Sequence, residues 1–324
     1  MSTLIFPGQG SQQPGMGRFL FENFKVAQET FEEGSEALKQ DMKKLCFEGT
    51  EAELALTENT QPALLLVSTA TQRVLRKEFS VKVEAAAGHS IGEYAALVAA
   101  NVIRFDEAMR AVRTRGQAMQ SAVPVGQGGM VALLGLEPDQ AQILCEYAVK
   151  NSGFGPLSPA NFNCPGQIVI SGSQKAIDWL KDNFKPEVIF TEAPRRAKMI
   201  PLQVSAPFHC EMMKPAEEKM RQVLTAMEFN KADFPIVQNF HAKMESEGSV
   251  LRENLIRQVS APVRWTQSME VLKSLGHKNM IECGAGKVLQ GLLKKIDGEF
   301  FQVATTTTLE DIKNIEESLK ASSH

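Results

Sequence analysis

The sequence predicts an α/β fold, a hydrolase-like and mainly parallel sheet core with an inserted ferredoxin-like small domain. Three observations predict it. Short apolar runs alternate with helical patterns through most of the 324 residues, as expected when strands pair in parallel through helical crossovers that cover both faces. Residues 126–200 break that rhythm and read β-α-β-β-α-β, the order of a ferredoxin-like unit. A serine flanked by glycines, Gly88-His89-Ser90-Ile91-Gly92, falls where an apolar run gives way to helix-forming residues, the context of a nucleophile elbow.

In chain order, Thr3–Phe6 is a short strand that runs into a glycine loop. Gln61–Phe79 is a helix with Pro62 in its first turn, where the missing N–H costs little. Val83–Ala87 is a buried strand, and Ile91–Ala100 and Phe105–Ala122 are helices. The flexible break Gly126-Gln127-Gly128-Gly129 opens the inserted unit of about 75 residues, an ordinary size for a small domain. Its strands are Met130–Leu136, Leu157–Asn161, Gln167–Ser171 and Val188–Glu192, and its helices Pro138–Lys150 and Gln174–Phe184. The larger domain, 1–125 and 201–324, then resumes with strands Pro235–Gln238, Lys278–Glu282 and Phe300–Ala304. Helices Glu211–Met227, Trp265–Leu275 and Lys287–Ile296 accompany them.

Composition bounds the function. Net charge is −3, with 43% hydrophobic and 23% charged residues, ordinary values for a globular chain. The absence of a long basic run argues against nucleic acid as the main partner. The N-terminus lacks the basic start and long apolar run of a secretory signal, and no run reaches the ~18 apolar residues of a membrane helix. The five cysteines, Cys46, Cys145, Cys164, Cys210 and Cys283, are scattered without a C-x-x-C pair. They read as free buried thiols, and the chain as cytoplasmic.

Ser90 is the candidate nucleophile. Flanking glycines let strand and helix approach closely while the serine is held exposed on the turn. The helix N-terminus behind it offers unpaired N–H groups to a developing oxyanion. A serine needs a base, and the chain holds five histidines. His89 adjoins the serine, and adjacent side chains diverge on a sharp turn. His241 and His277 lie on polar stretches, and His324 ends the chain. His209, in the loop Val204-Ser205-Ala206-Pro207-Phe208-His209-Cys210 leading into a helix, is left as the base by elimination. For the third member, Asp233, Glu282 or a backbone carbonyl remain open, since imidazole Nδ1–H needs only an acceptor. The early loop Phe6-Pro7-Gly8-Gln9-Gly10-Ser11-Gln12 fits neither a phosphate loop nor a dinucleotide fingerprint. It is either a second oxyanion donor or a plain tight turn.

Taken with Arg113-Thr114-Arg115-Gly116, Ala160-Asn161-Phe162-Asn163-Cys164-Pro165-Gly166, Ser205-Ala206-Pro207-Phe208-His209, and Arg257-Gln258 ahead of Ala261-Pro262-Val263-Arg264-Trp265, these motifs occur in an order and spacing that resemble the malonyl-CoA:acyl carrier protein transacylases of fatty acid synthesis. The resemblance covers nearly the whole chain and implies roles residue by residue. Ser90 is acylated and His209 is its base. The N–H groups of Gln9 and Ile91 form the oxyanion hole, and Gln258 orients His209 through its main-chain oxygen. Arg115 pairs with the free malonyl carboxylate, which a guanidinium grips through two parallel hydrogen bonds. Without the resemblance, Arg110, Arg113 and Arg115 could not be told apart. Gln12, His89 and Asn161 line or support the pocket. Phe208 and Ile91 narrow it against branched extender units, by analogy with related acyltransferase domains.

The implied chemistry is ping-pong acyl transfer from malonyl-CoA to acyl carrier protein by a monomer that needs no metal or redox cofactor. Arg195, Arg196 and Lys198 cluster as candidates to steer the acidic carrier. The alternatives are an acyl hydrolase with the same Ser and His, a trans-acting acyltransferase of a polyketide synthase, and a non-catalytic carrier-protein scaffold. Intact Ser90, His209 and Arg115 argue against the last.

Overall fold

The computed structural model describes residues 1–192, 194, 196–204 and 206–321; Arg195, Ser205 and His324 lie outside them. Among the described residues ten strands form two sheets: β1 (Ser2–Phe6), β2 (Val83–Gly88), β3 (Gly128–Leu134), β4 (Leu157–Cys164), β5 (Gln167–Ser173), β6 (Lys198–Pro201), β7 (Ile236–Val237), β8 (Met244–Glu245), β9 (Asn279–Glu282) and β10 (Gln302–Thr305). The larger sheet runs β10-β9-β1-β2-β7-β8. Its neighbours pair in parallel except at the β7–β8 edge. Leu4 and Phe6 enter one hydrophobic cluster and Ile5 another. The alternation puts successive β1 side chains on opposite, equally buried faces, which is why the strand reads as a continuous apolar run.

The helix expected from Gln61 spans Thr57–Glu78, so Pro62 falls in its second turn. There the proline leaves the Glu58 carbonyl without its intrahelical donor. The polar Thr57-Glu58-Asn59-Thr60 stretch hides the true start, since it carries no apolar periodicity. The expected helix Glu211–Met227 is a 3₁₀ turn, Glu211–Met213, followed by Lys214–Thr225.

The smaller sheet is antiparallel in the order β4-β5-β3-β6, with helices Pro138–Ser152 and Gln174–Asn183 in the two crossovers. This is the expected ferredoxin-like topology. Its last strand is corrected: Val188–Glu192 does not pair, and Pro186–Ile189 instead forms a helical turn with proline at its start. The fourth strand is β6, which pairs Met199 with Leu133 and Ile200 with Ala132. The apolar run Val188-Ile189-Phe190 imitates a strand but leaves Val188 exposed.

β4 is tied to the segment before helix Trp265–Ser274, where Phe162 N–H donates to Val263 O at 2.9 Å and Val263 N–H to Ala160 O at 2.8 Å. Met130, Asn161 and Val169 of the smaller sheet line a cleft together with Ser90 and His209. All five cysteines are buried free thiols. No described helix is long and apolar enough to cross a membrane.

Candidate active site

β2 ends at Gly88 and a helix begins at Gly92. Between them Ser90 takes φ 53°, the left-handed region, at a cost of about 1–2 kcal/mol for a residue with a Cβ. Both glycines are demanded by the packing. A Cβ on Gly88 would lie 2.0 Å from the Gly92 carbonyl carbon, and one on Gly92 would lie 2.2 Å from Phe6 O. The turn therefore closes only with hydrogen at both sites.

His209, itself at φ 58°, reaches the serine from the loop that follows the inserted sheet. Its Nε2 lies 2.7 Å from Ser90 Oγ, and its Nδ1 lies 2.9 Å from the Gln258 main-chain oxygen. A carbonyl only accepts, so Nδ1 carries the proton and Nε2 is free to accept from the serine hydroxyl. Burial, with the charge of Arg115 second, pushes the His209 imidazolium down to about 3. The base is thus neutral at neutral pH. Asp233 and Glu282 are elsewhere: Asp233 accepts from Asn101 Nδ2, and Glu282 accepts from the N–H groups of Leu289 and Gln290. The acceptor that meets His209 Nδ1 is the Gln258 carbonyl.

Arg115 projects from helix Phe105–Ser121 and is 1% exposed. Its Nη1 donates to Gln61 Oε1 at 2.8 Å, and its Nη2 to Gln258 Oε1 at 3.0 Å and Ser90 Oγ at 3.3 Å. Arg110 instead pairs with Asp106, and Arg113 turns to Asn59 and Gln40. Of the three arginines, only Arg115 enters the cleft.

That cleft encloses about 170 Å³ and is lined by Gln9, His89, Ser90, Ile91, Arg115, Asn161, Phe208 and His209 among others. No described lining residue carries a carboxylate. An anion held against Arg115 therefore meets no opposing charge on the wall. Among the described residues, neither the Gln9 nor the Ile91 N–H has a hydrogen-bond partner, and both residues line the cleft with Ser90. His89 turns its Nε2 to Asn163 Oδ1 at 2.8 Å and packs its ring near Trp265; its burial lowers its affinity for a proton. Gln12 does not line the cleft; its side-chain oxygen accepts from Gly10 N–H at 2.7 Å and so ties the Gln9 loop.

Several participants escape sequence reasoning. Gln61 holds Arg115, Asn163 holds His89, and Asn239 and Glu93 lie behind the elbow. Asn163 lies within a motif already singled out and Glu93 directly follows another, so their position was a usable signal. Gln61 and Asn239 carried none.

The acyl transferase domain family matches residues 3–306. The malonyl CoA-acyl carrier protein transacylase of Bacillus subtilis (strain 168) is 42% identical over 304 residues, 94% of this chain and 93% of its own. Its counterpart from Staphylococcus aureus (strain MSSA476) is 39% identical over 317 residues, 98% of this chain and 99% of its own. Among solved structures, the malonyl CoA-acyl carrier protein transacylase from Clostridium perfringens superposes with a TM-score of 0.91 at 37% identity, covering 99% of this chain and 98% of that one. A chain from the complex of a type II PKS acyl-carrier protein with its malonyl-transacylase gives 0.90 at 39%, covering 98% and 99%. With a Ser–His pair at an elbow, one buried arginine beside it, and this degree of identity over nearly the full length, the chain belongs to the acyl transferase domain family, among the malonyl-CoA:acyl carrier protein transacylases.

Proposed function

We propose that this chain carries the malonyl group from malonyl-CoA to the phosphopantetheine thiol of holo acyl carrier protein, through an ester on Ser90, for fatty acid synthesis. The observation that carries the reading is the placement of Arg115, whose guanidinium stands 3.3 Å from Ser90 Oγ in a cleft whose described lining has no carboxylate. One methylene separates the two carboxyl carbons of a malonyl group. A cation this near the nucleophile can hold the free carboxylate while the thioester carbonyl meets the serine.

In the first half-reaction Ser90 Oγ attacks the thioester carbon and its proton passes to His209 Nε2. The Gln9 and Ile91 N–H groups take the oxyanion, and His209, held through Nδ1–H to the Gln258 carbonyl, becomes an imidazolium. Collapse breaks the C–S bond, and the proton leaves with coenzyme A. In the second, the carrier's thiol gives its proton to His209 and attacks the ester. The C–O bond breaks and Ser90 recovers its proton. The chemistry asks for no metal or redox group, and one chain supplies every part, so a monomer suffices. His89 and Asn161 support the wall. Phe208 and Ile91 leave little room for a branch on the malonyl carbon, and Gln12 acts through the Gln9 loop.

In this reading 126–200 is a separate inserted unit that roofs the cleft, and 1–125 with 201–324 form the catalytic domain. Both substrates support a cytoplasmic setting. A solved relative bound to a type II polyketide carrier protein gives specific grounds for a second reading, the same transfer to such a carrier. The test is steady-state transfer from malonyl-CoA to holo carrier proteins of each kind. The reading expects parallel double-reciprocal lines and loss of transfer by at least about 10³-fold in Ser90→Ala or His209→Ala. Malonate release at the same rate with and without carrier would identify a hydrolase instead.

A further inference from the structure

The left-handed conformation of Ser90 turns its own N–H away from the helix and from any backbone acceptor. A carboxamide meets it there. Asn239 Oδ1 accepts from Ser90 N–H at 2.7 Å, and Asn239 Nδ2 donates to Gly88 O at 2.7 Å. One side chain thus bridges both arms of the elbow, at the point where β7, which pairs Val237 with Ala87, has stopped. It continues by side chain the pairing that the backbone can no longer make. Asn239 is 0% exposed, so each bond forms without competition from water.

The bridge is itself held. Asn239 N–H donates to Glu93 Oε2 at 2.8 Å, and the other Glu93 oxygen accepts from Gln238 Nε2 at 3.0 Å. Gln258 Nε2 lies 3.2 Å from both Glu93 Oε2 and Asn239 Oδ1. The same Gln258 presents its carbonyl to His209 and its Oε1 to Arg115.

We infer that Asn239 is a positioning residue for acyl transfer, fixing the strained conformation of Ser90 by bridging Ser90 N–H and Gly88 O, with Glu93 as its anchor. It touches neither substrate nor the reacting atoms. Its effect is on how often Ser90 Oγ stands in line with His209 Nε2, so it acts on kcat and not on substrate affinity. The inference rests on Ser90 being the acylated residue, which the loss of acylation in Ser90→Ala tests separately.

The experiment compares Asn239→Ala with Asn254→Ala, each assayed for malonyl transfer and for folding by circular dichroism. Asn254 belongs to the same buried network, donating to Gln238 Oε1 and contacting His241 Nε2, but does not touch the elbow. The expected result is a kcat lowered about 100-fold in Asn239→Ala with KM for malonyl-CoA within about threefold of the parent, against a kcat within about threefold in Asn254→Ala. Asn239→Asp serves if the alanine variant does not fold. It keeps the acceptor for Ser90 N–H but sets a second acceptor against Gly88 O. Protonation restores the donor, so its kcat relative to the parent should climb at least about tenfold from pH 8 to pH 5.5. Equal losses in the two alanine variants, a loss confined to KM, or a flat pH ratio for Asn239→Asp would overturn the inference.

Discussion

Arg115 is buried, its Nε has no partner among the described residues, and its two Nη groups are shared among Gln61, Gln258 and Ser90. A guanidinium held this way is an incomplete ion pair that a substrate carboxylate completes. Arg115→Ala should lower kcat/KM for malonyl-CoA about 10²- to 10³-fold, while the much smaller rate with acetyl-CoA stays level or rises. Arg115→Lys should recover little, since a lysine cannot reproduce the two-pronged contact. Competition kinetics between the two thioesters read both outcomes. His209 carries a second prediction. With its folded-state value down at about 3, the imidazole stays an acceptor far below its usual range near 6.5. The profile of kcat/KM against pH should then show no acid limb near 6.5. Because Arg115 supplies part of the depression, Arg115→Ala should move the limb upward. A limb at 6.5 in the parent would contradict the buried, neutral base. At this scale the residues alone pointed to Ser90 and His209, which the structure brings within 2.7 Å, whereas Arg115 was told from Arg110 and Arg113 only by the resemblance. The sequence was silent on Gln61 and Asn239, which become neighbours of the site only when distant elements pack.

The elbow is an element whose geometry leaves no slack. Gly88→Ala or Gly92→Ala would drive a Cβ into backbone at 2.0–2.2 Å, and each should destabilise by about 3–5 kcal/mol. A fall in the thermal midpoint with loss of Ser90 acylation checks it. Helix Val288–Asp297 carries a different consequence. Glu282 accepts from its first N–H groups, and burial raises the Glu282 carboxyl from 4.5 to about 7. A carboxyl that binds its proton more tightly when folded favours the folded state below pH 4.5 and loses that contribution as pH climbs to 7. Glu282→Gln removes this dependence, so its midpoint minus that of the parent should be more favourable at pH 8 than at pH 5. Strands β1, β2 and β5 were legible because burial on both faces writes a run of apolar residues, Leu4-Ile5-Phe6, Ala85-Ala86-Ala87 and Ile168-Val169-Ile170. β6 was not, because an edge strand pairs on one side only and Lys198-Met199-Ile200-Pro201 has no such run. The helices before residue 56 went unnamed for a related reason: they are short, and only Lys25–Leu38 exceeds two turns.

The whole molecule is a mainly parallel sheet whose β2 runs into the elbow and a small antiparallel sheet that lines the cleft with it. The first five elements of the smaller sheet's β-α-β-β-α-β order were readable from rhythm, and its last strand was not. Nor was the cleft, since it depends on the Ala160–Val263 and Phe162–Val263 bonds between segments a hundred residues apart. Arg196, in the turn before β6, and Lys198, the first residue of β6, stand exposed. If they steer an acidic carrier, raising salt from about 50 to 300 mM should increase KM for the carrier several-fold and leave acylation by malonyl-CoA nearly unchanged. The central claim is that Ser90 bears the malonyl group in transit. Intact-protein mass after mixing with malonyl-CoA tests it most directly, beside acetyl-CoA and Ser90→Ala. The predicted result is one malonyl adduct, on the parent chain only, discharged by holo acyl carrier protein and slow to leave in water alone. An adduct that survives Ser90→Ala, or none on the parent, would contradict it.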